Sequence, residues 1–196
     1  MSMRTATVER KTAETNIKLI LNLDGNGHGV IDSGIGFFDH MLNLMTSHGL
    51  MDLTLACDGD IDVDGHHSVE DIGIALGDAF KKAIGDKKGI RRYGTFYLPM
   101  DEALAFVSLD ISGRPYLVYE GGEMAPMIGG FDTELTEEFL RAFAVHAGLT
   151  LHVRVLYGKN SHHKVEAIFK ALGHALRIAV EDDPRVEGIP STKGSL

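Results

Sequence analysis

Apolar and polar positions alternate from Arg4 to Asp24, first as Thr-Ala-Thr-Val-Glu-Arg-Lys-Thr and then as Asn-Ile-Lys-Leu-Ile-Leu-Asn-Leu, which predicts two half-buried strands. Asp24-Gly25 and Asn26-Gly27 supply turn chemistry, and His28 to Asp32 reads as a third, short strand. Ser33-Gly-Ile-Gly then breaks the period of two. Phe37, Phe38, Met41, Leu42 and Met45 fall at helical spacing, ending near Ser47-His48-Gly49. Leu50 to Cys57 alternates again, Asp58 to Gly65 is an acidic, turn-rich loop, and Val69, Ile72, Leu76 and Phe80 mark a helix to about Lys82. The first half is β-β-β-α-β-α.

After Gly85-Asp-Lys-Lys-Gly the order recurs. Strands are expected at Tyr93 to Pro99, Leu104 to Ile111 and Pro115 to Tyr119. A glycine- and methionine-rich loop follows, then a helix from about Thr133 to Val145, a strand from Leu149 to Leu156 and a helix from Val165 to Ala179. Gly49-Leu50-Met-Asp-Leu-Thr-Leu echoes Gly148-Leu149-Thr-Leu-His-Val, so the chain contains an internal repeat of about 90 residues. Each half would lay two helices on one face of a four-stranded sheet, and the simplest burial sets the helices of one half against those of the other. The expected fold class is α/β of the α+β type: internally duplicated βββαβα halves, with two four-stranded sheets enclosing a layer of four helices. It would form a single domain over 1–196, with halves at about 1–85 and 90–180 and a C-terminal tail.

Composition narrows the class. With 196 residues and 44% apolar content the chain can bury a real core, and its formal charge of −9 argues against a nucleic-acid surface. Met1 to Lys11 lacks the apolar run of a signal peptide, and no stretch could span a bilayer, so a soluble protein is expected. Cys57 is the only cysteine, which rules out an intramolecular disulfide and is compatible with a reducing cytoplasm; it reads as a core thiol. Ten histidines, four of them in two adjacent pairs, are the oddity. Imidazole is a common ligand for transition metals.

Those pairs sit in two copies of His-His-x-x-Glu: His66, His67 and Glu70, then His162, His163 and Glu166, 96 residues apart. If each opens a helix, the first His and the Glu are four residues apart on one face, while the second His lies about 100° round. One such helix therefore offers ligands to two metals. Imidazole plus carboxylate suits Mn²⁺, Fe²⁺, Co²⁺ or Zn²⁺, and spacing does not choose among them.

Five motifs in order, Phe37-Phe38-Asp39-His40-Met41-Leu42, Asp64-Gly-His66-His67-Ser-Val-Glu70-Asp71, Ser112-Gly-Arg114-Pro-Tyr, Ser161-His162-His163-Lys-Val-Glu166-Ala and Pro190-Ser191-Thr192-Lys193-Gly194, resemble the imidazoleglycerol-phosphate dehydratase family over nearly the whole chain. The resemblance implies a duplicated α/β fold, two Mn²⁺ per site at subunit contacts, and a cage-like homo-oligomer of 24 chains in the cytoplasm. It adds His40 to the ligands. Where many relatives carry His in Glu-His-Phe, this chain reads Glu137-Glu138-Phe139, which makes Glu138 the candidate eighth ligand, with His152 as competitor. His146 reads as a helix C-terminal dipole partner, and His174 and His28 as surface residues.

Arg92, Arg114, Lys170, Ser191 and Lys193 match the family's phosphate-binding positions, and the tail bearing the last two is expected to order over the substrate phosphate. Glu14 matches the acid-base glutamate, and Asp101 occupies the corresponding position of the second half. His48 reads either as a proton shuttle or as a neighbour of the helix C-cap. The implied reaction removes water from imidazole glycerol phosphate: with ions on both ring nitrogens the ring becomes an anion that expels a side-chain hydroxyl through a diazafulvene-like intermediate. A di-metal phosphoester hydrolase and a non-catalytic metal-binding cage are the alternatives.

Overall fold

In a computed structural model of the protein, which describes residues 3–194 and 196, the two halves fold alike. The first contains β1 (Thr5–Lys11), β2 (Thr15–Asn22), β3 (Gly29–Asp32), α1 (Gly36–Gly49), β4 (Asp52–Gly59) and α2 (His66–Ile84). The second contains β5 (Tyr93–Met100), β6 (Ala103–Asp110), β7 (Tyr116–Glu120), a hairpin of β8 (Met127–Ile128) and β9 (Phe131–Asp132), α3 (Leu135–Ala147), β10 (Thr150–Tyr157) and α4 (Ser161–Val180). The sheets run β1-β2-β4-β3 and β5-β6-β10-β7, each with one parallel pair, β3 with β4 and β7 with β10. Met1, Ser2 and Ser195 lie outside the described residues, so the readings of the extreme N-terminus and of the tail's last serine rest on sequence alone.

Strand alternation puts Ile17, Leu19 and Leu21 of β2 and Ala103, Ala105, Val107 and Leu109 of β6 inside, facing the helices. The helices pair across the halves, α1 on α4 and α2 on α3. Buried Phe38, Phe139 and Phe169 meet edge-on or stacked, with centroids 5.2–6.3 Å apart. One continuous core results, as the expected burial of helix against helix requires.

Two mid-helix glycines, which cost a helix about 1 kcal/mol each against Ala, allow this close packing. A methyl on Gly173 of α4 would overlap the Met45 carbonyl of α1, and one on Gly77 of α2 would lie 2.8 Å from Phe143 O and Ala147 N of α3. Gly173→Ala is therefore expected to lose about 1–3 kcal/mol to overpacking, despite its helix propensity. A rise in urea midpoint would show that the helices do not approach this closely.

Three sequence expectations are corrected. α3 starts at Leu135, not near Thr133, because Asp132 accepts the Glu134 N–H in a turn ahead of the helix. Glu138 therefore lies in the first turn. The glycine-rich loop holds the β8–β9 hairpin. The echo of Gly49 with Gly148 is off by one: α1 ends on Leu50 in the left-handed conformation (φ 50°), and α3 ends on Gly148 (φ 70°). Met51 N bonds Thr46 O just as Leu149 N bonds Ala144 O. Leu50 thus corresponds to Gly148, and the ten-residue steps back from these caps reach His40 and Glu138.

Candidate active site

Polar side chains at or just ahead of the N-cap hold both histidine pairs in the first turn of a helix. Asp64 Oδ1 accepts from His66 N (2.8 Å), and Asn160 Oδ1 accepts from His162 N (2.9 Å) and His163 N (3.4 Å). Because α1 packs on α4, the first half's His40 meets the second half's pair. Ligand atoms of His40, His162 and Glu166 lie within 4.8 Å of one another. His162 Nε2 stands 3.0 Å from Glu166 Oε2, and Phe37 packs edge-on to the His162 ring. Burial pushes the Glu166 carboxyl up, but Lys170 Nζ at 2.5 Å and His162 more than offset it, and its pKa falls below the usual carboxylate range. This is an anionic oxygen beside two imidazoles, a donor set that fits a divalent ion.

The counterpart cleft, about 730 Å³, lies where α1, α2 and α3 begin, and His66, Phe37, Asp132, Leu135 and Glu138 are among the residues lining it. Glu138 shares this cleft with His66, but among the described residues only His40, His162 and Glu166 have their ligand atoms close together; His66, Glu70 and Glu138 do not. The Glu138 carboxylate is held by Arg141 at 3.0 Å. His152 is exposed on β10, whose buried Leu151 and Val153 face the helices, so it points out of the opposite side of the sheet.

The second histidine of each pair is oriented by a carboxylate that the sequence reading missed. His67 Nδ1 lies 2.9 Å from Asp60 Oδ2, and His163 Nδ1 lies 2.7 Å from Glu102 Oε2. These bonds raise both imidazole pKa values, Asp60 acting chiefly on His67 and Glu102 on His163. Histidines that bind metal usually give their other ring nitrogen to a carboxylate in this way. Each free Nε2 faces a further acid: Glu14 at 3.7 Å from His67 and Asp101 at 3.8 Å from His163. Glu102, next to Asp101, accepts from Lys159 N, Asn160 N and His163, and the Asn160 and His163 bonds lead in holding its pKa down to about 2. The Glu14 carboxylate has no hydrogen bond among the described residues and is half exposed.

Arg92, Arg114, Ser191 and Lys193 do come together, lining a second cleft of about 580 Å³ with Tyr93, Pro190 and Leu196. Arg92 is buried with φ 73°; its Nε and Nη2 donate to Asp110 (2.7 and 3.0 Å) and its Nη1 donates to the Pro190 carbonyl (2.8 Å), which ties down the tail. Arg114 is largely exposed and loosely held, 3.9 Å from Asp110. Lys170 is not in this cleft; it pairs with Glu166 and contacts Met100.

At the far end of the helices, His48 Nδ1 lies 3.2 Å from His174 Nε2, and His146 Nδ1 lies 3.0 Å from Asp78 Oδ1. His174 is therefore not a bland surface residue, since its ring also stacks on Phe96 at 4.1 Å. Desolvation lowers the pKa of both His48 and His174. His48 lies eight residues, about 12 Å, along α1 from His40. His28 is exposed. Cys57 is half-buried, and desolvation, reinforced by nearby aspartates, pushes its thiol pKa up.

A model of the imidazoleglycerol-phosphate dehydratase family matches residues 33–176. Proteins named imidazoleglycerol-phosphate dehydratase from Clostridium botulinum and Caldanaerobacter subterraneus are 63% identical over 191 residues and 61% identical over 194; the matches cover 97% of both chains and 99% and 100% of the two chains respectively. The chain belongs to the imidazoleglycerol-phosphate dehydratase family. It is a hydro-lyase of histidine biosynthesis. Solved family structures agree with the fold. The Staphylococcus aureus imidazoleglycerol-phosphate dehydratase superposes with a TM-score of 0.83 at 42% identity, covering 91% of this chain and 99% of that one. The Pyrococcus furiosus structure gives 0.84 at 36%, covering 96% and 100%. Among the described residues no helix is long and apolar enough to cross a membrane.

Proposed function

We propose that the protein dehydrates D-erythro-imidazole glycerol phosphate to imidazole acetol phosphate, with two Mn²⁺ per site, in a homo-oligomer whose active sites lie between chains. The observation that carries this reading is the meeting of His40 with His162 and Glu166 across the halves, beside a second histidine set that faces an unbonded Glu14. His40, His162 and Glu166 would hold one ion and His66, Glu70 and Glu138 the other, with His67 and His163 free to complete sites on neighbouring chains. A bound ion pair would supply Lewis-acid stabilisation of the negative charge developing on the imidazole ring. Arg114, Lys193 and Ser191, on a tail anchored by Arg92, bind the phosphate and fix the side chain. The hydroxyl next to the ring departs, Glu14 then takes the proton from the neighbouring side-chain carbon, the two together making up the water lost, and the enol so formed ketonises.

Distance within the chain favours assembly. Arg92 N bonds Ala179 O near the C-terminal end of α4, whereas Glu166 lies near its start. Thirteen helical residues span about 20 Å, more than a three-carbon side chain can bridge between ring and phosphate. The phosphate cleft of one chain would therefore serve the metal ligands of another; the number of 24 chains rests on the family resemblance. Protons held tightly on His67 and His163 must leave before an ion binds, so metal affinity should strengthen as pH rises.

Incubating the protein with imidazole glycerol phosphate and Mn²⁺ should give the keto product, and chelation should abolish both the activity and the large particle seen by size-exclusion chromatography. Release of inorganic phosphate without keto product would favour a hydrolase. An unchanged particle with metal shown absent would count against shared sites.

A further inference from the structure

We infer that Asp71 is a positioning residue for Glu14, tying the turn that presents this acid to the helix that presents His66, His67 and Glu70; the inference rests on the acid-base reading of Glu14. Asp71 follows Glu70 on α2 and is buried, 6% exposed. Its Oδ1 accepts from Arg10 Nε at 2.9 Å, with Arg10 Nη2 at 2.7 Å. Its Oδ2 accepts from Thr15 Oγ1, with Thr12 Oγ1 at 3.5 Å. Thr12 Oγ1 in turn accepts from Glu14 N (3.1 Å) and Thr15 N (3.0 Å), and Thr12 N bonds Thr15 O (2.9 Å).

The turn is thus bonded into Asp71 on both sides of Glu14, while the Glu14 carboxylate is left clear. Arg10 balances the buried charge, which would otherwise be costly. The second half shows that this tether is not needed merely to fold the hairpin. Ninety-six residues after Asp71 stands Ala167, fully buried, and the turn between β5 and β6 is held by Glu102 instead, which uses its own carboxylate to do so. In the first half the turn is held from outside by Asp71, and in the second by Glu102 within the turn, so only Glu14 depends on a residue of the histidine-bearing helix for its placement. A group that moves a proton must be held within about 0.5 Å of its productive position.

Steady-state kinetics on the assembled, metal-loaded enzyme test this. Asp71→Asn should lower kcat by about 10²-fold, the order expected of a misplacement near 1 Å, with KM and metal content unchanged. Thr15→Val, which removes only a hydroxyl from the network and keeps the protein testable if Asp71→Asn folds poorly, should lower kcat in the same direction, and Thr15→Ser should restore it. Added to Glu14→Gln, neither Asp71→Asn nor Thr15→Val should reduce kcat further. If Glu14→Gln is impaired while Thr15→Val keeps wild-type kcat, or if the paired losses multiply, the positioning role is overturned and Glu14 keeps its assignment. Wild-type kcat in Glu14→Gln would overturn the acid-base reading, and this inference with it.

Discussion

Glu14→Gln is expected to lower kcat by about 10²–10⁴-fold, the usual contribution of a positioned acid or base, with little change in KM. The substitution keeps the size of the side chain and its polarity. The Glu14 carboxylate makes no hydrogen bond among the described residues, so little but its proton chemistry is lost. Arg114→Ala should behave oppositely and mainly raise KM, because a cation that lines the proposed phosphate cleft and is 71% exposed would contribute binding and not proton transfer. Michaelis–Menten parameters for the two variants check both assignments together, and the reverse pattern would overturn them.

Glu138→Ala should lose roughly one ion per active site and most of the activity, since an oxygen donor is removed from a small ligand set. Glu138 stands the same ten residues before its left-handed helix cap as His40 does before Leu50, and it shares a cleft with His66. Its present bond to Arg141 would be exchanged for the ion. Glu138→His should keep both ions and shift preference toward softer cations such as Zn²⁺. Elemental analysis of the purified variants reads this directly. Two tightly held ions in Glu138→Ala would mean that the ligand lies elsewhere, although His152 on the outer face of its sheet is a poor substitute.

Such assignments stand on two kinds of information. The sequence by itself determined the elements, the duplication and the paired His-His-x-x-Glu motifs, because strand and helix periods and the four-residue step between His162 and Glu166 are local properties of the chain. It also carried the family, through motifs that survive as short strings. Burial was enough to foretell that the helices of the two halves would face each other.

Only the tertiary structure decided which partners meet. That His40 joins the second pair follows from α1 packing on α4, a choice made by apolar faces far apart in the chain and allowed by Gly173, whose missing methyl no periodicity records. The register of the repeat was hidden because α1 is capped by a leucine where α3 uses glycine, and a left-handed leucine leaves no mark in the sequence. Asp60 and Glu102 look like ordinary loop acids until folding sets them against ring nitrogens, and only the fold shows Lys170 against Glu166, apart from the cleft lined by Arg92 and Arg114. The separation of about 20 Å between Glu166 and the cleft of Arg92 and Arg114 exists only once α4 is a rigid rod, and the proposal of a site shared between chains rests on it.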